Sequence, residues 1–162
     1  MILASHAIIG AAIGRLMPQN LYAAFILGFL SHFIFDLIPH WHYPLKSIVK
    51  DNEGEPINMR WGKDFIVDFL RVGLDVISGI VILFLLFKPQ NTMAVQALLA
   101  GAIGGILPDG LQFLQFKIKW QFPFVTKLHR LYHISQNTFW GFLSQIAIVG
   151  AVSAISIFIL KP

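Results

Sequence analysis

"NLYAAFILGFLSHFIFDLIPHWHY", residues 20–43, begins as an apolar run and ends on imidazole, carboxylate, indole and phenol groups. Its apolar part approaches the roughly 20 residues needed to cross a hydrocarbon core of about 30 Å. It reads as a membrane-embedded helix over 20–38, ended by Pro39, because the residue before a proline disfavours the helical region. Imidazole and carboxylate are expensive to place in apolar surroundings. Their collection at one end of such a run calls for an explanation.

The rest of the chain is built in the same way. Of 162 residues, 56% are hydrophobic and 12% charged, against about a quarter charged in a soluble domain. Further apolar blocks lie at 2–17, 64–87, 92–107 and 138–160, the first ended by Pro18 and the third of these by Pro108. The pattern predicts an all-α integral membrane bundle, a single domain over 1–162 with about five membrane-embedded helices. Two polar regions interrupt it, at 40–63 and 109–137. The first is too long for a simple connector and reads as a functional flap or a partly disordered segment. The second starts with Gln112, Gln115, Lys117 and Lys119 among aromatics, the pattern of a short interfacial helix. The block at 138–160 has no charge and no histidine and reads as a lipid-facing support.

With no cysteine, disulfides, thiolate metal sites and cysteine nucleophiles are excluded. The N-terminus lacks a cationic stretch and a small-residue cleavage site, so it does not read as a removable signal peptide. A net charge of +4 suits a membrane protein with basic loops rather than a nucleic-acid binder.

Alternating spans put Lys46, Lys50, Arg60, Lys63, Lys117, Lys119, Lys127 and Arg130 on the side of the N-terminus. Only Arg15, Lys88 and Lys161 fall on the other side. The excess of Lys and Arg marks the cytoplasmic face. The expected topology is therefore that of an inner-membrane protein with its N-terminus and both long loops cytoplasmic and its C-terminus external. His6, His32, Asp36, His40, His42, Asp64, Asp68, Asp109, His129 and His133 then gather at the cytoplasmic end, with Asp75 deeper. Small residues at four-residue spacing, His6-Gly10-Gly14 and Ala97-Gly101-Gly105-Asp109, mark close helix packing. They turn His6 and Asp109 into the bundle.

Asp64, Asp68, Arg71 and Asp75 share one stripe of their helix. A charge near a helix centre costs about 2.5–3.5 kcal/mol on insertion scales, against a gain of about 0.3–0.6 for each large apolar residue. The stripe must face partners or water, with Arg71 pairing with Asp68 or Asp75. Such a pair serves helix packing as readily as function.

His32 and Asp36 are one turn apart, and so are His129 and His133 if their segment is helical. Two ligands at this spacing suit one metal, and nitrogen with carboxylate oxygen suits zinc, with manganese or iron as alternatives. The expected ligand set is His6, His32, Asp36, His40, Asp109, His129 and His133. For His40 and His42 in "PHWHY", simple interfacial hydrogen bonding is a serious competing reading. Asp68 is a candidate base, and Arg130, beside Lys127, a candidate holder of an anionic phosphate. Neither HExxH nor GxSxG occurs.

"SHAIIGAAIG", "SHFIFDLIPHWH", "GGILPDGLQF" and "LHRLYH", in this order, resemble the small bacterial membrane-bound metal-dependent hydrolases of the YdjM type. The resemblance extends to about residue 137. It implies functional roles for His6, Asp109, His129 and His133, and more loosely for His32, Asp36 and His40. The chain departs from the pattern at "HIS" after the last histidine pair and at His42, where an acid is expected. The spacing His32-x3-Asp36-x5-His42 is similar to one in zinc-dependent phospholipase C and single-strand nucleases, which implies phosphodiester chemistry. The expectation is metal-assisted hydrolysis of a membrane phosphoester or another lipid-like small molecule, with membrane lipids as partners. Two other readings stand beside it. One is a cation or proton transporter using the acidic stripe, disfavoured by an almost purely apolar outer half. The other is a non-catalytic scaffold held together by buried polar groups.

Overall fold

The structure is a computed structural model that describes residues 1–50, 52, 56–118, 122–132 and 139–159, apart from the side chains of residues 56 and 129–132. The elements are α1 (Leu3–Gly14), α2 (Leu21–Asp36), β1 (Ile48–Lys50), β2 (Pro56–Met59), α3 (Lys63–Phe87), α4 (Thr92–Ile118), α5 (Pro123–Tyr132) and α6 (Phe139–Ile159). Of these, α3, α4 and α6 are long and apolar enough to cross a membrane. With 12 and 16 residues, α1 and α2 are about 18 and 24 Å long. The five expected blocks thus become three helices of spanning length and two shorter apolar ones.

The shortest of these helices occupies the centre. Ten of the twelve residues of α1 are buried, and it packs against α4, α3, α2 and α6. A helix apolar all round needs such a position. Glycine makes it possible: a methyl group at Gly101 of α4 would overlap the carbonyl of Gly10 in α1, and one at Gly28 of α2 would overlap the carbonyl of Gly101. Backbones this close leave no room for a Cβ, so the stripes read from the sequence are contact surfaces. By contrast, Phe69, Leu70, Leu74, Ile77, Val81 and Leu85 of α3 are exposed. An apolar face of this size suits lipid rather than water.

Helix boundaries follow local chemistry. The Asn20 side chain accepts from Ala23 N at 3.0 Å and starts α2, and Asn91 does the same for α4 through Ala94 N at 2.9 Å. Lys88 closes α3 in a left-handed conformation, φ 41°. One expectation is overturned: α4 does not end before Pro108 but continues to Ile118 and absorbs the expected interfacial segment as far as it is described. Proline removes only one intrahelical donor, and neighbouring helices can satisfy the freed group. A second correction concerns α6. It is not purely a lipid-facing support, because Gln145, Ser153 and Ser156 are buried and Ser156 Oγ donates to Ala12 O at 2.6 Å.

The region 40–63 holds an antiparallel hairpin, with Ile48 opposite Met59 and Val49 opposite Asn58. Ser47 N donates to Asp68 Oδ2 at 2.7 Å. On the other side, Lys117 Nζ lies 3.3 Å from the Trp61 ring centroid and 3.9 Å from that of Phe65, and donates to Met59 O at 3.2 Å. The hairpin is thereby fastened to α3 and α4.

Candidate metal centre

Three helices bring their polar residues to one place. α1 supplies His6, α2 supplies His32 and Asp36, and α4 supplies Asp109. One ligand atom each from His6, His32 and Asp109 lies within 4.8 Å of the other two, a group that could hold a metal ion. The rings of His6 and His32 stack at 4.0 Å. His6, His32, Asp36 and His40 are all no more than 2% exposed.

Asp36 is the hub. Its Oδ1 lies 3.1 Å from His6 Nε2 and 3.5 Å from His40 Nε2. Its Oδ2 lies 3.4 Å from His32 Nε2. The Met1 amino nitrogen is 3.1 Å from Asp36 Oδ1 and 3.1 Å from His42 Nε2. His32 Nε2 also lies 3.8 Å from Asp109 Oδ1.

Ring orientation follows from the backbone. His32 Nδ1 is 2.9 Å from Gly105 O, and His40 Nδ1 is 2.7 Å from Ile38 O. A carbonyl only accepts, so each Nδ1 carries the proton. In the neutral ring each Nε2 then presents a lone pair. That of His32 faces the Asp36 and Asp109 carboxylates, and that of His40 faces Asp36 and His42 Nε2, 2.8 Å away. Lone pairs turned toward carboxylates in a buried site call for positive charge, of which the Met1 ammonium on Asp36 Oδ1 supplies one part. His6 Nε2, also buried, faces the same Asp36 carboxylate at 3.1 Å. Nitrogen and carboxylate donors with this orientation fit a divalent cation. Backbone carbonyls holding the far side of two rings are what a metal-binding histidine ordinarily has.

Surrounding residues hold this group in place. Asp75 Oδ2 accepts from Ala4 N at 3.2 Å and from the Tyr43 hydroxyl at 3.4 Å, joining α3 to the start of α1 and to the segment after α2. Burial, and next the Asp75 charge, push the Tyr43 hydroxyl up, so it stays a neutral donor. Gln145 of α6 accepts from Ser5 Oγ at 3.2 Å and donates to Trp41 O, and Ser144 Oγ donates to Pro39 O. α6 thus anchors the "PHWHY" segment.

Of the sequence-predicted ligands, His6, His32, Asp36, His40 and Asp109 come together. The side chains of His129 and Arg130 and the whole of His133 lie outside the described residues, although α5 is helical through position 129 and touches α2 and α4. Asp68 is buried, and its Oδ2 is engaged by the hairpin. Arg71 pairs with Asp68, one of its two expected partners, with Nη1 3.9 Å from Asp68 Oδ1, and Nη1 also donates to Pro44 O at 2.8 Å. His42 and Gln145 enter the site although the expected ligand set omits them. His42 has a signal in its spacing from Asp36, and Gln145 in being a lone amide in an apolar helix.

No protein-family model, no curated protein and no solved structure matches this chain.

Proposed function

We propose that this chain is a membrane-embedded metal-dependent hydrolase of the YdjM type, acting on a phosphoester or other lipid-like substrate at the cytoplasmic interface. One observation carries the reading: His6, His32 and Asp109, from three different helices, place ligand atoms within 4.8 Å of one another around the buried carboxylate of Asp36. These three residues would hold the ion, with zinc the best match to nitrogen and oxygen donors. A bound zinc supplies Lewis acidity and lowers the pKa of a coordinated water toward about 7. Asp36 orients the His6 and His32 rings and can accept a proton from a group beside them. His40 and His42 add two imidazoles beside Asp36, with their Nε2 atoms 2.8 Å apart. The topology follows from the Lys and Arg asymmetry, which would put this end of the bundle in the cytoplasm. Lys127 and Arg130 would hold substrate phosphate from α5.

A scaffold reading draws support from Asp68, Asp75 and Gln145, which spend their hydrogen bonds on fastening segments together. Metal analysis separates the two. Wild-type protein purified with zinc should retain at least one ion per chain, and Asp109→Ala should bind it about 10–100-fold more weakly, with the helical content unchanged. Wild-type protein that takes up no divalent metal, or Asp109→Ala protein that binds as tightly, leaves the scaffold.

A further inference from the structure

The end of the bundle away from the histidines carries a second feature. There the end of α1, the end of α3 and the start of α4 enclose an open pocket of about 330 Å³. Its wall contains Arg15, Phe87, Lys88, Asn91, Met93 and Leu98, and among the described residues no acidic one lines it. Arg15 and Lys88 are two of only three basic residues that the sequence assigns to that side. The Arg15 guanidinium lies over the Phe87 ring, 5.1 Å from its centroid. Its Nη1 is buried with no hydrogen-bond partner among the described residues.

The first turn of α4 lines the same pocket, with Asn91 Oδ1 taking up Ala94 N. The amides preceding Ala94 have no intrahelical acceptor and sit at the positive end of the helix dipole. Guanidinium, ammonium and helix N-terminus therefore converge with no acidic side chain among the described residues that line the pocket. Gln19 and Gln90 also line the pocket, beside Pro18, Pro89 and Ala94, and the apolar side chains of Met17, Leu85, Leu86 and Met93 nearby are exposed. A free anion would have no use for these surfaces, whereas a lipid brings a phosphate and acyl chains together.

We propose that this pocket binds the phosphate of an anionic phospholipid, at the membrane face opposite the histidine centre. The proposal rests on the chain lying in a membrane and is independent of hydrolysis. Arg15 supplies the directional contact and Lys88 a mobile charge at the rim.

The test is binding of phosphatidylglycerol and of phosphatidylcholine to detergent-purified full-length protein, read by native mass spectrometry, with inorganic phosphate as a third probe. Wild type should hold phosphatidylglycerol at least about fivefold more tightly than phosphatidylcholine. Lys88→Gly is the informative variant. Glycine accepts the left-handed backbone at this position, so the fold is kept while the charge is lost. It should bind phosphatidylglycerol about fivefold more weakly, and Arg15→Lys should also weaken binding, by more than about twofold, because an ammonium lacks the planar fork that lies over Phe87 and grips phosphate. Equal binding of the two lipids by wild type, or undiminished phosphatidylglycerol binding by Lys88→Gly, overturns the proposal. So does inorganic phosphate binding without any preference for the anionic lipid.

Discussion

The two ends of the α1–α4 contact use the same helices for opposite purposes. At one end, His6 and Asp109 face each other across a buried group of nitrogen and oxygen donors. At the other, Ala7, Ile8, Ala11 and Ala12 pack against Leu83, Phe87, Leu98 and Ala102, with no polar side chain in the cluster. The apolar end is held mainly by close contact, with the Ser156 hydroxyl on Ala12 O and Arg15 over Phe87 at its edges; between helices in lipid, packing rather than a hydrophobic drive does this work. The polar end is costly, because each desolvated donor or charge must be matched. Glycine contact at the middle of α1 lets one end support the other.

The most damaging way to break this comparison is at its midpoint. Gly101→Val puts a branched side chain where Gly10 and Gly14 leave no space, and should cost about 3 kcal/mol or more. Thermal unfolding in detergent should show the loss, and metal binding should disappear with it. A stable protein with normal metal content would mean that α1 and α4 do not pack through these glycines.

Leu83→Ala tests the apolar end alone. Leu83 is fully buried in the far cluster, and truncation should cost about 2 kcal/mol. Metal affinity should not change, because no donor is displaced. A fall in affinity parallel to the fall in stability would show the two ends to be one cooperative unit.

Gln145→Leu tests the polar end alone and should have the smallest effect on stability, about 1 kcal/mol. It removes the amide that joins Ser5 to the backbone of Trp41. Metal affinity should nevertheless drop several-fold, measured by competition with a chelating dye, because His6 and the histidines after Pro39 lose their common anchor. Unchanged affinity would reduce α6 to a structural support.

Much of this was open to reading from the chain itself. Long apolar blocks specify helices wherever water is absent, since backbone groups then need partners within their own segment. The small-residue stripes named the faces of α1 and α4 that meet, and so turned His6 and Asp109 inward. The i, i+4 spacing aligned His32 with Asp36, a relation that depends only on helix geometry. These features are periodic or compositional, and each is local.

The rest needed the tertiary structure, because it depends on groups far apart in the chain. Pro108 looked like a helix end, yet α4 passes through it, and Gly105 three residues earlier offers its carbonyl to His32. The acidic stripe of α3 suggested an ion pair or a path; the pair is there in Arg71 and Asp68, but only the fold shows that Asp68 and Asp75 also fasten Ser47, Ala4 and Tyr43. Gln145 lies 140 residues from Ser5. A polar side chain buried in an apolar helix announces that it has a partner, because the energy of leaving it alone is prohibitive. Which partner it takes is decided by the packing of the helices around it.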